Sequence, residues 1–251
     1  HKVISISGVE ERRLFKASPS EIFTQAVRKT IEIENIYKDE IECLICVYQL
    51  GDYLLPGTSF IVHQNLDLNS DTYCLDINLG CSAYGYGISV ISRMLINSNK
   101  KGILLVGDLL SQKIAKNDKD RLILGDSVSV TILENKQSSD SEIYSLLKSF
   151  PKNYQSLIIK NGGLKNNILD LSSNDYFCMN GLNVMSFVMS DVCNTIEEMI
   201  NKIGIKPDSL DYIFLHQANK FIVEYIIKKL QLDKHKVPIH VKYYGNTSGA
   251  S

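Results

Sequence analysis

The sequence predicts an α/β protein with a parallel or mixed sheet that helices cover on both faces. Short apolar runs with strand character alternate along the chain with longer segments that have the length and end signals of helices. One run, Glu42–Leu50, is apolar almost throughout, which is typical of a buried strand. The chain has 251 residues, of which 44% are hydrophobic, so it can bury a sizeable core in one large domain or two fused halves.

The first helix is predicted from its capping residues. Ser18 is a favourable N-cap, Pro19 suits the first turn, and Glu21 lies three residues after the cap, as in a capping box. We expect this helix to run to about Asn35.

The other elements follow from the same alternation. Four further segments predict helices, at Pro56–Leu68, Ser82–Asn97, Leu182–Ile203 and Lys220–Leu230. Six apolar runs predict strands, at Glu42–Leu50, Thr72–Asn78, Gly102–Gly107, Ser127–Leu133, Tyr212–His216 and Ile239–Tyr243. A polar stretch near Asn135–Ser141 divides these elements into two groups.

Charge and composition exclude several classes of function. With 27 basic and 28 acidic residues, the chain has no basic excess for nucleic acid or an anionic membrane surface. No apolar run reaches the roughly 20 residues that span a bilayer, and the first residues do not resemble a signal peptide. The six cysteines lack the spacing of a disulfide scaffold, which favours a reducing cytoplasm.

Cys43 and Cys46 form a CxxC sequence inside a predicted strand. Residues i and i+3 of a strand point to opposite faces, so these two thiols cannot chelate one metal ion. We interpret them, like Cys74, as small buried apolar residues.

The chain repeats itself weakly. The segment 38–45 resembles the segment 206–214, and each follows a helix and leads into an apolar run, a second helix and a second apolar run. Gly80-Cys81 follows the second run in one copy, and Gly245-Asn246 follows it in the other. Because ligands gather beyond the carboxyl ends of strands in such sheets, the repeat places a thiol and an amide at equivalent positions.

Three segments that are far apart in sequence supply a thiol, an imidazole and a carboxamide, each where a predicted strand ends. They are NLGCSA around Cys81, LHQAN around His216 and GNTSGAS around Asn246. Each residue alone has an ordinary structural explanation, as an inert buried thiol, a structural histidine or a Gly-Asn turn. Together they can form and turn over a thioester, because Cys81 at a helix start favours thiolate and the other two can donate hydrogen bonds to an oxyanion.

With these motifs, the chain resembles the type III ketoacyl-acyl carrier protein synthases of the thiolase-like condensing-enzyme superfamily. The matching stretches keep family order and are 7–12, 56–64, 76–85, 104–107, 120–126, 179–181, 216–219 and 245–251. The resemblance implies a thiolase-like fold, a five-layered α-β-α-β-α arrangement of two similar halves, and a homodimer. The two halves correspond to residues 1–141, with the nucleophilic Cys81, and 142–251, with His216 and Asn246.

The reaction that the resemblance implies is a decarboxylative Claisen condensation. Cys81 takes an acyl group from a thioester donor, and His216 and Asn246 stabilise the enolate-like charge that forms when malonyl-acyl carrier protein loses carbon dioxide. The substrates implied are thioesters of coenzyme A or acyl carrier protein, with no metal or redox cofactor, and the partner is acyl carrier protein.

Four further residues are assigned to substrate binding by the same resemblance. Leu55 shapes the acyl pocket across the dimer interface, Arg121 belongs to the coenzyme A site, Gln217 belongs to the HQAN motif, and Lys220 lies near the carrier-protein contact.

The chain also departs from the family pattern. Lys2 and Ile6 replace an aromatic residue and an arginine at the coenzyme A site, Phe221 replaces a carrier-contacting arginine, and Ser127–Ser129 replaces a Gly-rich stretch. These changes favour a carrier-bound acyl donor over coenzyme A. The family's opening strand and C-terminal strands are absent, so we expect the 251 residues to be part of a longer polypeptide.

Other functions remain open at this stage. A related thiolase-fold acyltransferase of secondary metabolism would use the same thiol, although a hydroxymethylglutaryl-type synthase usually needs a Glu base that is missing between Asp71 and Asn99. A cysteine hydrolase fits the Cys, His, Asn order but not the residues around Cys81. A non-catalytic partner subunit of a condensing enzyme has no need of all three groups.

Overall fold

The computed structural model confirms the α/β class for the residues that it describes, which are 2–136, 142–160, 164–165 and 176–251. Most of the predicted polar stretch Asn135–Ser141, including the boundary proposed between the halves, lies outside the described residues.

From Pro19 to Glu134, the helices and strands follow the predicted order, whereas the helix at Lys2–Ser7 was not predicted. The helices are α1 Lys2–Ser7, α2 Pro19–Glu34, α3 Thr58–Leu66, α4 Ala83–Met94, α5 Gly181–Phe187, α6 Cys193–Ile203, α7 Lys220–Lys229 and α8 Val241–Tyr244. The strands are β1 Ile41–Tyr48, β2 Tyr73–Asn78, β3 Lys101–Asp108, β4 Ser127–Glu134, β5 Leu157–Ile158 and β6 Cys178–Met179.

The chain folds into two compact units that are interleaved in sequence. The sheet unit consists of residues 14–109, 126–145 and 247–251. The helical unit consists of residues 1–13, 110–125 and 146–246. This division differs from the two sequence halves, 1–141 and 142–251, which stay a prediction.

A mixed four-stranded sheet forms the centre of the sheet unit, in the order β2-β1-β3-β4. Strand β1 is parallel to both β2 and β3, and β4 is antiparallel to β3. The carboxyl ends of β1, β2 and β3 therefore lie at the same edge of the sheet, where α/β proteins commonly place their sites.

Helices cover both faces of this sheet, because successive side chains of a strand point to opposite faces. Leu44 and Cys46 of β1 pack with α2 and α3, whereas Cys43, Ile45 and Val47 pack with α4. The two cysteines of the CxxC sequence thus lie on opposite faces, which confirms that they cannot bind one metal ion.

The predicted capping box of α2 is present in full. The Ser18 hydroxyl accepts a hydrogen bond from the Glu21 N–H, and the Glu21 carboxylate accepts one from the Ser18 N–H at 2.8 Å. The helix ends at Asn35, which adopts the left-handed conformation of a C-cap. Local sequence therefore determines both ends of this element.

The helical unit contains the long helical segment predicted at Leu182–Ile203. It consists of α5, a π-helical turn at Val188–Val192, and α6. Val188 and Cys193 pack with Ile222 and Ile226 of α7, which forms the core of this unit. Each copy of the sequence repeat begins with a short 3-10 turn, at Lys38–Glu40 and at Pro207–Ser209.

Two predicted strands are wrong. Tyr212–His216 forms neither a helix nor a strand, and Ile239–Tyr243 is replaced by the short helix α8. The backbone around α8 is fixed by distant partners, because the Lys242 carbonyl accepts hydrogen bonds from the N–H groups of Glu10 and Glu11.

In the described part of the chain, no helix is both long enough and apolar enough to cross a membrane.

Candidate active site

Cys81 lies in the turn that joins the carboxyl end of β2 to α4. The turn is closed by a 2.8 Å hydrogen bond from the Ala83 N–H to the Gly80 carbonyl, and the Cys81 residue is exposed. Since α4 begins at Ala83, the thiol is close to the positive end of a helix of 12 residues. The predicted position of Cys81 at a strand–helix junction is confirmed.

Burial separates Cys81 from most of the other cysteines. Desolvation raises the pKa of Cys43 to about 11, and it also raises the pKa values of Cys46, Cys74 and Cys193. Thiols with raised pKa values are poor nucleophiles near neutral pH. The remaining thiol, Cys178, is exposed and lies in β6 of the helical unit.

The last residues of the chain pack against the Cys81 turn. Thr247–Ser251 belongs to the sheet unit, and Ser248–Ala250 forms a 3-10 turn there. A Cβ added to Gly249 would lie 2.5 Å from the Ala83 Cβ and 2.9 Å from the Gly80 carbonyl oxygen, so this close approach requires glycine. The segment that follows Asn246 is therefore fixed beside the residues that flank Cys81.

His216 belongs to the helical unit, at the end of the segment 212–216. The neighbouring Leu215 is packed in the core of this unit, and the His216 Nε2 atom is buried. The Asn219 side chain then caps α7 by accepting a 2.9 Å hydrogen bond from the Ile222 N–H. The abrupt change from an apolar to a polar segment thus lies directly before the start of a helix.

Gln217 is buried, and backbone groups occupy both ends of its side-chain amide. Its nitrogen donates to the carbonyls of Leu215 and Pro238, at 2.9 and 3.2 Å, and its oxygen accepts from the His240 N–H at 2.8 Å. These contacts hold the chain next to His216 and leave the amide little capacity for a ligand.

The backbone of Asn246 is fixed by residues 123–125 of the same unit. Its N–H donates to the Ile123 carbonyl at 2.9 Å, and its carbonyl accepts from the Gly125 N–H at 2.9 Å. Gly245 makes this approach possible, because its φ is +70° and an added Cβ would lie 2.4 Å from the Ile123 carbonyl oxygen. The Gly-Asn pair therefore presents the carboxamide from a rigid backbone.

The other residues assigned to substrate binding differ in their surroundings. Leu55 is 86% exposed. Arg121 is half-buried and donates from Nη1 to the Ile114 carbonyl at 3.4 Å. Lys220 is exposed at the start of α7, and its Nζ lies 3.7 Å from the Glu224 carboxylate. Exposure leaves Leu55 and Lys220 accessible to macromolecular partners.

Sequence reasoning missed a polar cluster at the sheet edge that carries Cys81. Asp108, at the end of β3, is buried and accepts hydrogen bonds from the N–H and the side-chain amide of Gln49, at 2.7 and 2.9 Å. The same Gln49 nitrogen donates to the Ser248 hydroxyl at 2.9 Å. Burial raises the pKa of Asp108, and the Gln49 hydrogen bonds partly oppose that rise in pKa. The sequence signal that could have revealed this cluster is a polar residue at the end of each apolar run, namely Gln49 after β1 and Asp108 at the end of β3.

The structure thus places the predicted site residues in two groups. The sheet unit contains Cys81 and the segment after Asn246, whereas the helical unit contains His216 and Asn246. In the described part of the chain, no group of three or more His, Cys, Asp or Glu side chains is arranged to hold a metal ion.

Two sequence models of one family match the chain. The model of 3-oxoacyl-[acyl-carrier-protein] synthase III matches residues 75–149, and the model of its C-terminal part matches residues 200–251. The first includes Cys81, the second includes His216 and Asn246, and together they cover about half of the chain.

Comparisons of the whole chain with known proteins find relatives of the same family. The β-ketoacyl-[acyl-carrier-protein] synthase III of Clostridium tetani is 29% identical over an alignment of 259 positions, which covers 98% of this chain and 77% of the relative. The synthase III of Coxiella burnetii is 29% identical over 249 residues, which cover 97% of this chain and 76% of the relative.

The fold comparison agrees as well. The crystal structure of a 3-oxoacyl-(acyl-carrier protein) synthase from Burkholderia xenovorans superimposes with a TM-score of 0.91 and 29% identity. The match covers 100% of this chain and 74% of that one. The chain therefore belongs to the 3-oxoacyl-[acyl-carrier-protein] synthase III family and has its thiolase-like α/β fold.

Proposed function

We propose that this protein joins an acyl group to a malonyl thioester with loss of carbon dioxide and gives a 3-oxoacyl thioester. One observation carries the proposal most directly: Thr247–Ser251, which directly follows Asn246, folds against the turn that bears the exposed Cys81. We expect the thiol, the imidazole of His216 and the amide of Asn246 to act on the same bound substrates.

In the first half-reaction, the Cys81 thiolate attacks the carbonyl carbon of an acyl thioester. The tetrahedral intermediate expels the donor's thiolate, which takes a proton, and leaves an acyl-Cys81 thioester. We expect the Cys81 N–H, in the turn before α4, to stabilise the oxyanion of this intermediate.

In the second half-reaction, the malonyl thioester loses its carboxylate as carbon dioxide, and the bonding electrons form an enolate. His216 and Asn246 donate hydrogen bonds to the enolate oxygen. A neutral imidazole and an amide do this without placing a negative charge near the malonyl carboxylate. The carbanion attacks acyl-Cys81, the new carbon–carbon bond forms, and the thiolate leaves. This chemistry moves no net electrons between substrates and protein, so it requires no redox cofactor.

The substrate-binding residues are assigned as follows. Arg121 belongs to the site for the phosphorylated arm of the donor, and Lys220 contacts an acidic acyl carrier protein, since both are cationic. Gln217 holds the backbone beside His216. We place the reaction in the cytoplasm, because all six cysteines are thiols and not disulfides.

We also propose that two copies pair through the exposed edge of β2. This strand pairs only with β1 among the described strands, and the segment Tyr73–Asn78 lacks the Lys and Pro residues that often protect an edge. Tyr53, Leu54 and Leu55 in the same unit are 67%, 86% and 86% exposed. A second copy would cover this apolar surface and bring Leu55 to the partner's acyl pocket.

The oligomeric state tests this pairing. We expect light scattering after size exclusion to give twice the 28.3 kDa chain mass. Tyr73→Lys, at the exposed edge, should shift the protein to monomer, whereas Tyr37→Lys, at a tyrosine of the same unit that is 72% exposed, should not. A monomeric parent protein, or a Tyr73→Lys variant that stays dimeric, would overturn the proposal.

The proposed reaction can be tested with a panel of acyl donors. The protein is incubated with acetyl, butyryl and octanoyl thioesters of coenzyme A and of acyl carrier protein, and its mass is measured before and after malonyl-acyl carrier protein is added. We expect an adduct on the Cys81 peptide that disappears with release of carbon dioxide and formation of a 3-oxoacyl product. An adduct that transfers without a new carbon–carbon bond would indicate a related acyltransferase, and no adduct with any donor would indicate a partner subunit.

A further inference from the structure

Gln49 connects the turn that bears Cys81 to the segment that follows Asn246. Its side-chain nitrogen donates to Ser248 and to Asp108, each at 2.9 Å. The other side of the same group packs against Gly80, where an added Cβ would lie 2.8 Å from the Gln49 Cδ and Oε1 atoms. One side chain therefore contacts the residue before Cys81 and a residue two positions after Asn246.

Ser248 has a backbone conformation that needs such support. Its φ is +57°, in the left-handed region that residues with side chains rarely occupy. The other non-glycine residues with positive φ include Asn35 and Asp67, which are C-caps at helix ends where this conformation is usual. Ser248 lies inside a 3-10 turn, so tertiary contacts must hold it there, and strained residues of this kind cluster at functional sites.

Gln49 is itself fixed from two directions. Its N–H donates to the Asp108 carboxylate at 2.7 Å, and its carbonyl accepts from the Asn78 side-chain amide at 3.0 Å. Asp108 is 3% exposed, and the groups that act on it are Gln49, Ser248 and the backbone of Leu50. The carboxyl ends of β1, β2 and β3 are thus connected through one partly buried hydrogen-bond network.

We propose that Gln49 and Asp108 are positioning residues that set the register between the Cys81 turn and the Asn246 segment. This inference rests on the proposed function, in which the amide of Asn246 and the thiol of Cys81 act in one reaction. The pair touches no reacting atom. It fixes Gly80 on one side and Ser248 on the other, and a shift of Ser248 moves the Asn246 amide that is two residues away.

The variant Gln49→Glu tests the pair with a signature that loss of packing alone does not give. It places a carboxyl oxygen where the donating nitrogen now lies, 2.9 Å from the Asp108 carboxylate. At acid pH the two carboxyls share a proton and keep the hydrogen bond, whereas at higher pH both ionise and repel each other. The loss of rate in Gln49→Glu should therefore be small below the upper apparent pKa of the two carboxyls, and it should increase as the pH rises through that pKa.

We expect Gln49→Glu to release carbon dioxide from malonyl thioester about 10 to 100 times more slowly than the parent protein at pH 8, with the ratio approaching one near pH 5.5. The swapped pair Gln49→Glu/Asp108→Asn restores a donor opposite an acceptor, so it should recover the rate and lose the pH dependence. Gln64→Glu, at an exposed glutamine on α3, adds the same charge and should leave the rate unchanged. A Gln49→Glu rate equal to the parent rate at pH 8, or a folded swapped pair without recovery, would overturn the inference.

A second readout does not depend on the proposed reaction. Iodoacetamide alkylation of Cys81 is measured by peptide mass, with exposed Cys178 as the internal reference. Because Gly80 packs on Gln49, we expect Gln49→Glu to change the Cys81 to Cys178 rate ratio by about 3-fold or more at pH 8, and the swapped pair to restore it. An unchanged ratio would overturn the inference. A parent protein that releases no carbon dioxide, but shows the expected ratios, would instead reject the proposed function alone.

Discussion

Replacing Cys81 by alanine should abolish the acyl-enzyme and reduce formation of the 3-oxoacyl product by at least about 10³-fold. Among the residues of the proposed site, the thiol is the group to which we assign the covalent intermediate. Incubation with the productive donor, followed by intact mass measurement, should show the acyl adduct on the parent protein and no adduct on Cys81→Ala.

Cys178→Ala is the matched control for this experiment. Cys178 is also exposed, whereas burial raises the pKa values of Cys43, Cys46, Cys74 and Cys193. Loss of Cys178 should leave both adduct and product unchanged. An adduct of equal yield on Cys81→Ala would show that another residue carries the acyl group, and the assignment of the nucleophile would then be rejected.

Replacing His216 or Asn246 by alanine should separate the two half-reactions. Each variant should still acquire the acyl group on Cys81, because neither side chain forms the covalent bond. Each should release carbon dioxide from malonyl thioester about 10² to 10³ times more slowly, since each loses one hydrogen bond to the enolate oxygen. The two rates are measured separately, by single-turnover acylation and by carbon dioxide release from labelled malonyl thioester.

Exposed residues of the same types provide the controls. His235→Ala, in the turn after α7, and Asn97→Ala, in the turn after α4, should leave both rates at parental values. Carbon dioxide release at the parental rate from both site variants would reject their proposed roles. If a variant loses the acylation rate to the same extent as the rate of carbon dioxide release, the replaced residue, His216 or Asn246, instead supports the nucleophile.

The sequence predicts elements whose signals are local. The Ser18–Glu21 capping box, the apolar run of β1 and the opposite faces of Cys43 and Cys46 each depend on residues within a few positions of one another. All three predictions are confirmed.

The two wrong strands depended on partners that are distant in sequence. The five residues 239–243 are too few for their periodicity to determine the structure, and α8 forms where the His240 N–H is held by Gln217 and the Lys242 carbonyl by Glu10 and Glu11. The segment 212–216 forms no strand, because a strand also requires a neighbour, which periodicity does not reveal.

The same distinction applies to the candidate site. The motifs around Cys81, His216 and Asn246 could be predicted because their residue types are chemically distinctive. The contacts of Gln49 could not, since its partners Asp108 and Ser248 lie 59 and 199 positions away along the chain. That these polar residues share one edge of the sheet becomes visible only from the strand order and register.

The interleaving of the two compact units has a consequence for how the protein can be divided. The chain changes unit several times, the last time between Asn246 and Thr247, within the sequence motif GNTSGAS. A single proteolytic cut therefore releases neither unit intact, and recombination with a relative at one crossover point would combine incomplete units. Exchange of substrate preference between relatives should accordingly proceed by substitutions or short loops, and not by shuffling whole segments.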